Sequence, residues 1–259
     1  MGEIASETML GYRVCSETME ACLDDIESSI EQGMERRWLA CLNPHSYAVA
    51  LNNPNFETAL KQADWLIPDG SGIVLASRIL GGTIRQRVTG PDVFQGLSQR
   101  LHQRGGCSVF FLGSTEQTLE AIREKMSRDW PELQVAGTYS PPFKAEFSDD
   151  DIDQMVESIN AVRPDVLWVG MTAPKQEQWI MRVLPRLEVR FVAAIGAAFD
   201  FYTGRIKRSH PVFQRLGVEW LPRLVQEPRR LWRRMFVSAP VFLWHVFRAR
   251  LTSTGRAAP

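Results

Sequence analysis

Ser108-Val109-Phe110-Phe111-Leu112-Gly113, followed at once by Ser114-Thr115 and a helix-period segment from Glu116 to Asp129, decides the fold. The short apolar run ending at a glycine predicts a strand buried on both faces. Ser114 or Thr115 supplies a helix cap, and Leu119, Ile122 and Met126 share one helix face. The same strand–turn–helix unit recurs on either side. Trp38 to Leu42 predicts a strand, Asn43-Pro44 breaks it, and His45 to Leu51 predicts a helix. Trp65-Leu66-Ile67 leads through Pro68-Asp69-Gly70-Ser71-Gly72 into a helix over Ile73 to Leu80. Val135 to Tyr139 and Val166 to Val169 predict strands, with a helix over Asp150 to Val162 between them. A further helix starts near Pro174, and Phe191 to Ile195 predicts a strand ending at Gly196. Alternation of this kind implies an α/β fold, a mostly parallel sheet with helices on both faces.

In such a sheet ligands bind beyond the carboxyl ends of the strands. The distinctive residues follow strands: Asn43, Asp69, Gly113 with Ser114, Thr172 with Gln176, and Gly196. They are expected on one rim. Asp69 in its glycine-flanked turn has two readings, a general base over a ligand or a turn-former. Gly113-Ser114-Thr115 offers a helix N-terminus to a phosphate or ribose. Neither GxGxxG nor a Walker lysine motif occurs, which disfavours a dehydrogenase or a P-loop enzyme. Asp149-Asp150-Asp151 contains a DxD, but it follows Ser148 at a helix start and is read as capping. His45, His102, His210 and His245 show no metal-ligand spacing, so no metal site and no cofactor are expected.

The 259 residues carry no net formal charge, with 44% hydrophobic and 23% charged residues. Those values exclude a disordered tail protein or a coiled-coil rod. The zero is a cancellation: residues 1–204 hold 18 basic and 28 acidic side chains, whereas residues 205–259 hold 12 basic and 2 acidic. An acidic body is joined to a basic end, a pattern that points to an anionic partner. In that end Trp220, Trp232, Phe236 and Trp244 are interleaved with arginines, and Pro211, Pro222, Pro228 and Pro240 are expected to break it into short helices. It predicts an amphipathic surface-binding appendage over 205–259, against an acidic α/β body over 1–204. Its densest basic run holds Arg223, Arg229, Arg230, Arg233 and Arg234, whose planar guanidinium forks suit phosphate oxygens. No run reaches the length needed to span a bilayer and no signal peptide is apparent. Cys15, Cys22, Cys41 and Cys107 fit no zinc or redox spacing and are expected to be reduced. The tail also admits a non-catalytic RNA- or membrane-binding reading, but no RNP-type aromatic signature supports binding to nucleic acid.

Asn43-Pro, Pro68-Asp69-Gly70, Arg87-Val-Thr-Gly90, Phe110-Phe-Leu-Gly113, Gly170 through Ala-Pro-Lys-Gln-Glu177, Gly196-Ala-Ala-Phe-Asp200, and Glu219-Trp-Leu-Pro-Arg-Leu with Glu227-Pro228-Arg229 occur in order. Together they resemble the bacterial TagA/WecG/CpsF glycosyltransferases. The resemblance implies a Rossmann-like (GT-E type) fold with a C-terminal appendage, and makes the body over 1–204 a nucleotide-sugar-binding catalytic domain. It implies inverting, metal-independent transfer of a hexose from a UDP-sugar to a polyprenyl-diphosphate-linked saccharide. The place it implies is the cytoplasmic face of the bacterial inner membrane, where the protein is peripheral and meets anionic lipid. By resemblance Asp69 is the general base, and Cys41, Asn43, Arg87 and Gln176 contact substrate. Arg223, Arg230 and Arg233 fall where appendage arginines approach the donor diphosphate. Family members can also self-associate through the body, so a homo-oligomer is compatible with the resemblance. Cys41 departs from the threonine that relatives often carry, and a thiol is a poor donor. With a general likeness to the exopolysaccharide (xanthan-type) members, this departure favours UDP-glucose as donor, with UDP-N-acetylmannosamine or its uronic acid as alternatives. Arg208-Ser-His-Pro211 replaces the usual Arg-Ala-Pro.

Overall fold

The computed structural model describes residues 4–206 and 232–254. A short hairpin opens the chain, β1 (Ser6–Met9) paired antiparallel with β2 (Tyr12–Cys15), and α1 (Met19–Glu31) follows. The α/β body then runs β3 (Arg37–Leu42), α2 (Pro44–Ala50), α3 (Pro54–Gln62), β4 (Trp65–Pro68), α4 (Ser71–Leu80) and α5 (Gly90–Arg104). It continues with β5 (Ser108–Gly113), α6 (Glu116–Asp129), β6 (Gln134–Tyr139), α7 (Asp149–Asn160), β7 (Val166–Gly170), α8 (Lys175–Val183), β8 (Phe191–Ala194) and α9 (Ala198–Tyr202). After the segment outside the described residues, a π-helical turn over Arg234–Ser238 leads into α10 (Ala239–Thr254).

Strands β3 to β8 form one sheet in the order β4-β3-β8-β7-β5-β6, with every neighbour parallel. The inner strands are largely apolar because both faces are covered, the edge strand β6 is only partly buried, and the period of two divides the buried strand residues between two cores. Ala40, Leu42, Leu66, Phe110, Leu112, Leu167, Val169, Val192 and Ala194 pack against one layer of helices, which includes α2, α3, α4, α7, α8 and α10. Leu39, Trp65, Ile67, Val109, Phe111, Val166, Trp168, Phe191 and Ala193 face α1, α5, α6 and α9. The expected parallel α/β sheet is therefore the fold.

The sheet changes direction between β3 and β8. The chain leaves β3 toward β4 on one side, while β7 feeds β8 from the other, so a crevice opens above the carboxyl ends of these strands. Gly170, at the end of β7, lets the chains close below it. A Cβ there would lie 2.3 Å from ring atoms of Phe199, itself fully buried against Phe111. Gly170→Ala is expected to cost about 1–3 kcal/mol through overpacking, read as a lowered Tm.

Two expectations change. Nothing in the sequence reading assigns the hairpin or α1. Yet Thr18 caps α1 by accepting from Ala21 N–H, and Cys22, Leu23, Ile26 and Ile30 make a helical stripe. Pro240 does not break the C-terminal segment: it lies in the first turn of α10, and the preceding π-helical turn continues directly into the helix. Pro211, Pro222 and Pro228 lie outside the described residues. Phe242 and Val246, one helical turn apart, are buried in the layer shared with α2 and α4.

Candidate active site

The end of β3 pairs with the end of β4, Leu42 opposite Pro68, and this register sets Asn43 beside Asp69. Asn43 caps α2. Its Oδ1 accepts from the backbone N–H groups of His45 and Ser46 at 3.0 and 2.9 Å, and Ser46 Oγ accepts from Asn43 N–H. With Oδ1 so used, the amide Nδ2 points the other way and donates to Asp69 Oδ2 at 3.2 Å. Asp69 N–H donates to the Leu42 carbonyl at 2.8 Å. Gly70, at φ +97°, turns the chain from this carboxylate into α4, a conformation glycine adopts without strain. The Asp69 carboxylate is thus held at both backbone and side chain at the head of the crevice.

A cavity of about 250 Å³ occupies that crevice. Cys41, Asn43, Asp69, Arg87 and Gln176, read from separate parts of the sequence, all line it. Gly170 to Ala173 after β7 and Ala194 to Ala197 after β8 complete the floor, and Asp200 and Arg234 stand at the wall. The Cys41 thiol donates to the Ala194 carbonyl at 3.6 Å, so it faces the neighbouring strand. Burial, helped by the Asp69 and Glu177 carboxylates, pushes this thiol well above its ordinary value and keeps it neutral.

Gln176 and Glu177 open α8 and are both buried. Gln176 Nε2 donates to Glu177 Oε1 at 2.9 Å, and Gly196 N–H donates to Gln176 Oε1 at 3.2 Å. Burial pushes the Glu177 carboxyl up to about 7, against the opposing pull of the Gln176 amide. Glu177 closes the Gly170-to-Glu177 motif of the sequence, whose polar side chains are suited to a sugar or nucleobase, but no role of its own is legible there.

The arginines divide. Arg223 and Arg230 lie outside the described residues. Arg233 is exposed and lines a separate depression with His45, Val49 and Ser238, whereas its neighbour Arg234 reaches the cavity of Asp69. The π-helical turn starting at Arg234 is anchored to the body where His45 Nδ1 meets Ser238 Oγ at 2.8 Å. Ser114 and Thr115 do not line the cavity. Thr115 caps α6 by accepting from Thr118 N–H. Asp149-Asp150-Asp151 opens α7 behind the Ser148 capping box, with Lys144 on Asp151 and Arg182 on Asp149. The Lys144 ammonium holds the Asp151 carboxyl at about 2. All four cysteines are free thiols.

Fold and site together define a class: an α/β enzyme with a braced carboxylate and cationic groups at the carboxyl edge of a parallel sheet. The chain belongs to the WecG/TagA/CpsF glycosyl transferase family, whose profile matches residues 7–256. It is a glycosyltransferase of the hexosyl-transferring kind. A protein of Bacillus spizizenii named N-acetylglucosaminyldiphosphoundecaprenol N-acetyl-beta-D-mannosaminyltransferase is 31% identical over 211 residues, 82% of this chain and 79% of its own. Proteins of the same name from Staphylococcus aureus strains MW2 and NCTC 8325 are 25% identical over 247 residues, 95% of this chain and 94% of theirs.

Proposed function

We propose that the protein moves a hexosyl group from a UDP-sugar to a polyprenyl-diphosphate-linked saccharide, with inversion and without a metal, while attached peripherally to the cytoplasmic face of the bacterial inner membrane. The observation that carries this reading is the Asn43–Asp69 pair at the head of a cavity also lined by Arg87, Gln176 and Arg234. The acceptor hydroxyl oxygen bonds to the anomeric carbon as its proton passes to Asp69. The bond from that carbon to the diphosphate oxygen breaks on the opposite side, and its electron pair leaves with UDP. One displacement on the face opposite the leaving group inverts the centre. Asn43 fixes the accepting carboxylate so that little reorganisation accompanies proton transfer. Charge gathering on the diphosphate is met by arginine forks: Arg87 and Arg234, which line the cavity, and Arg223 and Arg230, which lie outside the described residues and which the resemblance places near the diphosphate; Arg234 takes the place expected of Arg233. The acidic motif on α7 is engaged in capping and in ion pairs, which supports a diphosphate held by arginine instead of a divalent ion.

The relatives are named for N-acetylmannosaminyl transfer to an N-acetylglucosaminyl-diphosphoundecaprenol, and this supports an N-acetylmannosamine-type donor. The expected preference for UDP-glucose has no support from them. It rests on Cys41, whose thiol turns toward Ala194 and offers the sugar no hydroxyl.

Among the described residues no helix is long and apolar enough to cross a membrane. Along α10 and the turn before it, Trp232, Phe236, Val241, Trp244, Phe247 and Leu251 are exposed, on the same segment as Arg233, Arg248 and Arg250. The Arg248 guanidinium lies 5.4 Å from the Trp244 ring centre. Aromatic and aliphatic groups beside arginine suit an anionic bilayer surface, at about 1 kcal/mol per basic residue near it. The test is UDP release from UDP-N-acetylmannosamine, its uronic acid and UDP-glucose, with and without a polyprenyl-diphosphate-linked N-acetylglucosamine. Release is expected only with acceptor and to persist in EDTA. Abolition by EDTA and restoration by manganese would reject the metal-free mechanism, and acceptor-independent release from every donor would reject transfer.

A further inference from the structure

Two carboxyl groups in the cavity, Glu177 and Asp200, have no part in the displacement just described, and Asp200 has the Arg205 guanidinium 4.0 Å away. Glu177 lines the crevice with Asp69, yet forms no ion pair among the described residues. Its Oε1 accepts from Gln176, which in turn accepts from Gly196, so the pair ties the first turn of α8 to the turn after β8. This arrangement fixes which end of the Gln176 amide faces which way. The other oxygen, Oε2, is fully buried and has no hydrogen-bond partner among the described residues. A carboxylate accepts up to four hydrogen bonds, and leaving a charged buried oxygen without one is costly. Packing alone would be better served there by an apolar side chain or by glutamine.

We propose that Glu177 binds the hexose of the donor: Oε2 accepts a hydrogen bond from an O–H or N–H group of the bound sugar while Oε1 holds the Gln176 amide. The inference rests on the reading that this cavity takes a UDP-sugar. The charged and titratable groups that share the cavity are Asp69 at the end of β4, Cys41 on β3, Arg87 before α5, Asp200 on α9 and Arg234 in the π-helical turn. No histidine lines it among the described residues. A donor group arriving at Oε2 competes with a proton there, since burial has brought this carboxyl close to neutrality. Binding that requires the ionised form lowers its affinity for that proton. The sugar therefore binds with proton release, and more tightly as pH rises through about 7.

The experiment is calorimetric titration of the full chain with UDP-N-acetylmannosamine and UDP-glucose, between pH 6 and 8, in two buffers of different ionisation enthalpy. The wild-type protein is expected to release up to one proton near pH 7 and to lose affinity on acidification. Glu177→Gln keeps an acceptor for Gln176 but puts an amide where Oε2 stands. It should release no proton and bind about tenfold more weakly at pH 8. Wild-type binding without proton release, or with proton uptake, overturns the role of Oε2 and needs no variant to be folded. Equal affinity of Glu177→Gln and wild type at pH 8 overturns it as well. Failure of the wild-type protein to bind either nucleotide sugar overturns the underlying reading of the cavity, and the inference with it.

Discussion

Asp69→Asn is expected to lower turnover by roughly 10²–10⁴-fold, the usual contribution of a positioned general base, and to leave the fold intact. The backbone bond from residue 69 to the Leu42 carbonyl and the pairing of Leu42 with Pro68 do not involve the carboxylate. An asparagine also offers Asn43 Nδ2 a carbonyl oxygen in place of Oδ2. The shape and the bond from Asn43 survive, while the negative charge and the capacity to take a proton are lost. Steady-state turnover beside a melting curve measures both. Near-normal turnover in a folded variant would remove Asp69 from the role of base, and a lowered Tm would show that the carboxylate holds the turn.

Ending the chain after Arg208 is expected to abolish turnover and vesicle binding together. The deletion takes Arg234 from the cavity wall and Ser238 from His45, and with α10 it takes the apolar groups that face away from the body. It also uncovers Tyr47, whose ring meets Phe242 and His245 edge-on, so some loss of stability accompanies it. Two full-length variants separate the functions. Arg234→Ala should lower turnover about 10²–10³-fold, as for loss of one group that stabilises transition-state charge, while binding to anionic vesicles persists. Trp244→Ala combined with Phe247→Ala should weaken vesicle binding and spare turnover on a soluble acceptor. Full activity of the truncated chain would sink the claim that the segment completes the site.

Much of this architecture is legible because its elements are locally consistent. Phe110-Phe-Leu-Gly113 and Val166 to Val169 are apolar throughout, since strands covered on both faces have no polar side to display. Helix starts are equally plain: Thr89, Thr115 and Ser148 each cap as their residue type requires. The rim residues were legible as a group because they follow strands. Parallel pairing then brings Asn43 and Asp69 together across 26 positions of sequence, which no local pattern records. Glu177 was not legible for the same reason, since its importance lies in an oxygen without a partner, a property of the packed interior. Arg233 and Arg234 were indistinguishable in a basic run. The π-helical turn decides that Arg234 enters the cavity while Arg233 faces another depression. Pro240 misleads because it sits at a junction no local pattern records, directly after the π-helical turn Arg234–Ser238, and the helix runs on through it.

The most direct measurement is the mass of the lipid product made by full-length protein from a UDP-sugar and a polyprenyl-diphosphate-linked N-acetylglucosamine, read for wild type and Asp69→Asn at equal protein. The wild-type reaction should yield the acceptor enlarged by one hexosyl residue, with one UDP formed per product, and the variant should yield almost none over the same time. UDP formed without an enlarged lipid, or equal product from the two proteins, would contradict transfer at the Asn43–Asp69 site.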